Sequence, residues 1–247
     1  MEKSCKLCPH LFWVLSIPVF IIIYLITALT VAILLPFAYF GSERVVKSII
    51  VGWSRLIFMA MGKRLRVQGK ANILKDQRYI LLANHSSLFD ILAIMVFSPD
   101  VSWFGKEYLV KIPVFGRLLK MINFVPMRAA DLGNTRNMIA QLAEKTNGHT
   151  VAIFPEGTRT VDGSINKFRK GFLHVLRASE LSILPVTLNG FYRFKPKNRF
   201  YINFGVKLRV IIHQPINAFD LIHKPDSEII DHIKGIIESA YENRLHK

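Results

Sequence analysis

From Leu11 to Phe40 the chain carries no charged side chain. As one helix this stretch would run roughly 45 Å, against a hydrocarbon core about 30 Å thick, so part of it is enough to cross a bilayer. Pro18 and Pro36 are expected to mark its limits, because proline withdraws a helical hydrogen bond, leaving Val19 to Leu35 between them. A second apolar segment, Val45 to Gly62, follows Glu43 and Arg44. At about 100° per residue, Val45, Val46, Ile49, Ile50, Trp53, Leu56 and Ile57 share one arc, with Ser48, Gly52 and Arg55 opposite. Two arrangements satisfy this pattern: a spanning helix followed by an interfacial one, or a two-helix hairpin dipping into one leaflet. No small-residue cleavage pattern follows the run, which argues against a removable leader. Lys3 and Lys6 precede it and Arg44 and Lys47 follow it, so loop charge sets no orientation, and basic flanks on both sides fit the hairpin.

The remaining composition narrows the partners. Lys and Arg total 33 against 17 Asp and Glu, a net charge of +16 that calls for an anionic bilayer, a phosphorylated substrate or nucleic acid. Between Phe191 and Phe204, Arg193, Lys195, Lys197 and Arg199 interleave with aromatics. Such a mixture suits single strands or a bilayer interface, and the apolar N-terminus selects an anionic membrane over nucleic acid. Cys5 and Cys8, beside His10, are the two cysteines of the chain, too few for a tetrahedral zinc set or a disulfide framework. The globular part is therefore expected to face the reducing cytoplasm.

Past Gly62, short apolar runs alternate with helical periods. Strands are predicted at Arg64 to Gln68, Tyr79 to Ala83, Val151 to Phe154, Ile183 to Leu188, Phe200 to Phe204 and Lys207 to Ile212. Helices are predicted at Leu88 to Phe97, Asp131 to Lys145 and Lys167 to Ala178, and a last amphipathic one carries Ile229, Ile233 and Ile237 on its dry face. The alternation indicates an α/β domain with a sheet flanked by helices, residues 63–247, behind membrane-anchoring helices at residues 1–62.

Two short segments carry chemistry. In Asn84, His85, Ser86, Ser87, Leu88, Phe89, Asp90, a histidine stands five residues before a carboxylate. On one continuous helix these side chains would diverge by about 140°, so His85 must precede the helix if the two are to pair. A strand ending at Ala83 and a capping box between Ser87 and Asp90 permit that arrangement. By accident, an H-x4-D match arises in about one in four chains of this composition, so the pair needs company. Company comes in Phe154, Pro155, Glu156, Gly157, Thr158, Arg159, where a guanidinium follows a glycine turn after a buried strand. Lys167, Arg169, Lys170 and Arg177 make that side electropositive, and the planar fork of Arg159 suits phosphate oxygens. A general base beside an anion pocket points to acyl transfer onto a phosphate-bearing alcohol.

These segments, with two others in order, resemble the glycerolipid acyltransferases, and among them the 1-acylglycerol-3-phosphate acyltransferases. His85 and Asp90 match the family's catalytic H-x4-D block. Lys106, Glu107, the run Ile112 to Gly116, and Phe124 to Arg128 match a second block, in which Lys106, Gly116 and Arg128 would line the acceptor site. Phe154 to Arg159 match the third, and Leu184, Pro185, Val186, Thr187 the fourth. Gly105 stands where a second lysine is common, and Pro126 with Met127 replaces an acidic residue, departures that bear on acceptor preference.

The resemblance implies an α/β sheet flanked by helices with a two-helix membrane anchor. It implies His85 as general base, Asp90 as its orienting partner, Lys106, Arg128 and Arg159 on the acceptor phosphate, Glu156 on the glycerol hydroxyls, and Gly116, Gly157 and Thr158 in the binding site. The donor would be an acyl thioester, on coenzyme A or acyl carrier protein, and the acceptor a lysophospholipid. No other cofactor is expected. The sequence holds no metal-ligand motif, and neither Ser86 nor Ser87 lies in a G-x-S-x-G elbow. Other acceptors (glycerol 3-phosphate, another lysophospholipid, a lyso-aminolipid) keep the same chemistry, while a non-catalytic basic membrane-binding protein would explain the charge without it.

Overall fold

The computed structural model describes residues 8–40, 42–75, 77–112, 115–122, 124–127 and 150–242. The predicted helix at Asp131 to Lys145, as well as Arg128 and Cys5, lies outside them. In chain order the elements are α1 (Cys8–Phe40), α2 (Glu43–Ala60), β1 (Arg66–Gln68), β2 (Ile80–Ala83), α3 (Phe89–Phe97), β3 (Val101–Lys106), α4 (Phe115–Met121), β4 (Val125–Met127), β5 (Thr150–Ile153), α5 (Gly171–Ser179), β6 (Ile183–Asn189), α6 (Phe191–Phe194), β7 (Arg209–Ile212) and α7 (Asp226–Ser239).

Seven strands among the described residues form one sheet in the order β1-β7-β6-β2-β5-β3-β4. All neighbours run parallel except β6 and β7. Central strands buried on both faces read as unbroken apolar runs, and β2 (Ile80, Leu81, Leu82, Ala83) and β6 are buried throughout. Their side chains alternate between two cores. Leu81, Ala83, Leu184 and Val186 pack with α3 and the end of α2, whereas Ile80, Leu82 and Ile183 pack with α5 and α7. After β2 the chain therefore leaves for one face of the sheet, and after β5 it leaves for the other. Adjacent parallel strands whose connections diverge in this way open a crevice at their carboxyl ends, where ligands bind in open α/β sheets.

Helix α1 runs through both prolines, about 50 Å in all, instead of ending at them. Each proline removes one hydrogen bond, and burial of one stripe offsets that loss. The stripe includes Val19, Phe20, Ile23 and Ile26 against the core on the α3 face, and Leu34 and Phe37 beside Val46 of α2 and Ile122 after α4. Leu11, Val14, Ile21, Leu25 and Leu29 on the other side are exposed. Among the described residues this is the helix long and apolar enough to cross a membrane, from His10 to Phe37, by length and composition.

The second helix belongs to both segments of the chain. Trp53 Nε1 donates to Thr27 Oγ1 at 3.2 Å, tying α2 to α1. Ile57, Phe58 and Met61 are buried in the same cluster as Tyr79, Leu92 and Leu188. A division at residue 62 thus separates sequence segments but cuts one packed core.

Other predicted bounds shift for identifiable reasons. Helix α5 starts at Gly171 because the Arg169 N–H turns to the Pro155 carbonyl, 2.8 Å away. Phe200 to Phe204 is not a strand: Ile202 N–H donates to Ser16 Oγ and Asn203 N–H to the Phe194 carbonyl, so the segment folds back against α1 and α6.

Candidate active site

The carboxyl ends of β2 and β5 bring the two motifs together, with Leu82 opposite Ile153 in register. The buried amide of Asn84 extends β2 past its last ladder bond, donating to the Leu188 carbonyl at 3.0 Å and accepting the Leu188 N–H at 2.8 Å. His85 follows at the sheet rim, before α3, as the geometric argument requires.

His85 Nδ1 lies 2.9 Å from Asp90 Oδ2, and Asp90 is fully buried. The same oxygen accepts the N–H groups of Ser86 at 2.6 Å and Ser87 at 2.8 Å. A carboxylate only accepts, so a neutral imidazole in this contact carries its proton on Nδ1 and its lone pair on Nε2. Half of the capping box forms: Asp90 reaches back to the Ser87 N–H, while Ser87 Oγ accepts the Phe89 N–H at 3.4 Å rather than that of Asp90 and donates to the Lys195 carbonyl at 2.7 Å. Phe154 lies flat under the imidazole, with centroids 3.9 Å apart at 14°, and Trp103 stands behind it at 6.0 Å.

Glu156 is only 2% exposed. Its Oε1 accepts the His85 N–H at 2.6 Å and its Oε2 the Asn166 N–H at 2.8 Å. Burial pushes its carboxyl up from the ordinary value, against the opposing pull of those two donors. It braces the histidine loop against the loop before α5. Sequence reasoning assigned it to the glycerol hydroxyls and missed the brace.

Around this pair the remaining predicted residues fall as follows. Gly157, at φ +71, gives the turn its left-handed step, with the Arg169 side chain lying over it. Thr158 is exposed. Arg159 is half-buried and has no hydrogen bond or ion pair among the described residues. The next residue closes the ring, Thr160 N–H donating to the His85 carbonyl at 2.9 Å. Lys106 ends β3 with its backbone paired to Met127, on the same edge of the sheet. Gly116 is buried in α4, where a Cβ would meet the Val110 carbonyl oxygen at 2.0 Å, so only glycine fits.

Lys195 adds a cation that motif reading left out. Burial lowers its pKa, and the positive charges of Arg199 and Arg159 lower it further. Tyr192 Oη donates to the Val161 carbonyl at 2.8 Å, holding α6 to the loop after Arg159. Half-buried cations sharing a rim attract an anion. Among the described residues no cluster of His, Cys, Asp and Glu fits a metal ion.

Residues 64–189 match the family described as Acyltransferase, a span that contains both motifs, the His85 and Asp90 pair, Glu156 and Arg159. The chain belongs to the acyltransferase family. Its relatives agree. It is 29% identical over 158 residues to the 1-acyl-sn-glycerol-3-phosphate acyltransferase LPAT1, chloroplastic, of Arabidopsis thaliana, covering 63% of this chain and 44% of that one. It is 27% identical over 162 residues to the 1-acyl-sn-glycerol-3-phosphate acyltransferase of Borreliella burgdorferi, covering 65% and 64%. The acyltransferase thus spans less than two thirds of either relative. Its fold is similar to that of the 1-acyl-sn-glycerophosphate acyltransferase PlsC of Thermotoga maritima, at a TM-score of 0.78, 25% identity and coverage of 95% of this chain and 99% of that one.

Proposed function

We propose that the chain is a membrane-bound O-acyltransferase that moves a fatty acyl group from an acyl thioester to the 2-hydroxyl of 1-acylglycerol 3-phosphate, giving phosphatidic acid. The observation that carries this reading is the His85 and Asp90 pair, its loop joined through the Thr160 N–H to the turn that carries Arg159, which has no hydrogen bond or ion pair among the described residues. Nε2 takes the proton of the acceptor hydroxyl as its oxygen attacks the thioester carbonyl carbon. The carbon–sulfur bond then breaks, the thiolate leaves, and the imidazolium returns the proton to it. Asp90 holds the tautomer and offsets the transient imidazolium charge, and Phe154 keeps the ring in plane. Arg159 grips the acceptor phosphate, with Lys106 and Arg128 as its partners in the pocket. No acyl-enzyme is needed.

The relatives named for acylating 1-acylglycerol 3-phosphate support this acceptor. Helix α1 supports attachment to the bilayer by its length and apolar composition. It is packed on the domain near both ends, at Ser16 and at Leu34, so a crossing along the membrane normal would draw the domain's polar surface into hydrocarbon. A hairpin of α1 and α2 in one leaflet, with the catalytic face toward the cytoplasm, avoids that cost.

The test is turnover by purified protein across 1-acylglycerol 3-phosphate, glycerol 3-phosphate, an uncharged monoacylglycerol and a lyso-aminolipid, each offered with acyl-coenzyme A and with acyl-acyl carrier protein. Phosphatidic acid should form fastest from the first acceptor. Preference for the uncharged monoacylglycerol would overturn the phosphate assignment.

A further inference from the structure

Between Glu180 and Asp220 the chain has no carboxylate side chain but carries Arg193, Lys195, Lys197, Arg199, Lys207 and Arg209. The middle of this segment is strapped at both ends. At one end the Lys195 carbonyl accepts Ser87 Oγ from the histidine loop at 2.7 Å. At the other, Ile202 N–H donates to the buried Ser16 Oγ of α1 at 2.8 Å, and the Phe204 ring meets Phe12 edge-on at 6.0 Å. Lys63 fixes the return, its ammonium donating to the Phe204 and Val206 carbonyls.

Arg199 stiffens the turn from inside. Its guanidinium donates to the Arg193 and Phe194 carbonyls and lies 4.7 Å over the Tyr201 ring. The neighbouring side chain points the other way: Phe200 is 84% exposed, more than any other large apolar side chain among the described residues. Arg193 and Lys197 flank it, also exposed. A phenyl ring held in water on a rigid turn, among cations, beside a helix whose outward side is apolar, complements an anionic lipid surface.

We propose that the strap from Lys197 to Phe204 is a second bilayer contact, with Phe200 inserted at the boundary between headgroups and acyl chains and Arg193 and Lys197 on anionic headgroups. It rests on the membrane-bound reading above and adds to it where the site sits. Because Lys195, whose carbonyl holds Ser87 Oγ, lies two residues before this strap, the histidine loop is fixed relative to the lipid surface from which the acceptor comes.

Substituting Cys5 and Cys8 by serine leaves no other thiol, so an environment-sensitive fluorophore can be placed by Phe200→Cys and, for comparison, by Phe219→Cys. Phe219 is also exposed, but its neighbours Ala218 and Leu221 belong to the core on the α5 face, away from α1. Full-length protein is bound to phosphatidylglycerol vesicles carrying brominated acyl chains. The label at 200 should shift to the blue and be quenched about twofold or more, and the label at 219 should keep its aqueous emission. Flotation of the same samples reports attachment separately. Protein that floats with an aqueous label at 200 refutes the strap and leaves the membrane reading standing, whereas protein that fails to float refutes both. A label shifted by single-stranded RNA and not by vesicles would make the segment a nucleic-acid surface and overturn the proposal. Phe200→Asp should slow turnover of a vesicle-borne acceptor severalfold and leave that of a short-chain, water-soluble acceptor unchanged; equal loss on both would count against it.

Discussion

Glu156 Oε1 accepts the backbone N–H of His85 at 2.6 Å, so the residue that opens one motif is held in place by the carboxylate of the other. Two motifs separated by seventy positions form one hydrogen-bonded unit, and the substitutions below test its parts separately.

Glu156→Gln puts an amide where two backbone N–H groups both need acceptors, leaving one buried donor unmet at about 1–3 kcal/mol. We expect a lower melting temperature and a kcat reduced by about tenfold, with the acceptor KM nearly constant. Steady-state kinetics decide the role, since direct contact with the glycerol hydroxyls would raise the acceptor KM instead.

Replacing His85 by alanine should lower turnover by roughly 10² to 10⁴ with fold and vesicle binding intact. Asp90→Asn should lose nearly as much, because an amide no longer fixes the Nδ1 proton. Retention of most of kcat by the His85 variant in detergent would exclude base catalysis by this imidazole.

Arg159→Ala is expected to raise the acceptor KM far more than it lowers kcat, as removal of binding common to ground and transition states does. Lysine there should restore part of the affinity, having charge without the planar fork. The donor KM should barely move; a weakened donor would place the phosphate pocket on the other substrate.

Truncation reads the anchor against the core. Removal of residues 1–62 takes away Ile57, Phe58 and Met61, each buried in the core on the α3 face, and losing one large apolar side chain of this kind costs about 2–5 kcal/mol. Such a protein should be insoluble or unfolded by circular dichroism. A chain beginning at residue 42 should fold and float more weakly, keeping only the contacts of α2 and the strap, and one that floated like the intact protein would remove α1 as the anchor.

His213 is hydrogen-bonded to Thr187 Oγ1 at 2.8 Å, and burial lowers its pKa. Its unfolded form binds a proton more readily, so stability falls as pH drops from about 6.5 toward the depressed folded value. The midpoint of urea unfolding should decline over that window, and His213→Gln should flatten the decline.

Elements whose signal is local were legible in the sequence. Strands β2, β5 and β6 and helix α3 lie within a residue of their predicted places, because buried strands are short apolar runs between turn residues. Helix geometry placed His85 before the helix, as found, while its pairing with Asp90 was legible only with the second motif and the family resemblance beside it. What escaped was tertiary. Strand β3 was not anticipated, nor was the Phe154 platform, since nothing in an isolated phenylalanine says which ring it will lie against. The same holds for Glu156, whose partners are backbone groups of His85 and Asn166 that no pattern of side chains records. Proline punctuation failed in α1 because burial of the helix stripe outweighed two missing hydrogen bonds.

His85 and Asp90 are near neighbours in the chain, yet the groups that steady them come from positions 154, 156, 160 and 195. A local turn can form early in folding, but these distant supports arrive only when β5 and β6 have paired with β2, the slow part of assembling a parallel sheet. A nascent or half-folded chain therefore lacks the braced His85 and Asp90 pair. Refolding chains should regain turnover in step with long-range pairing, because the pair is steadied only once the sheet is complete.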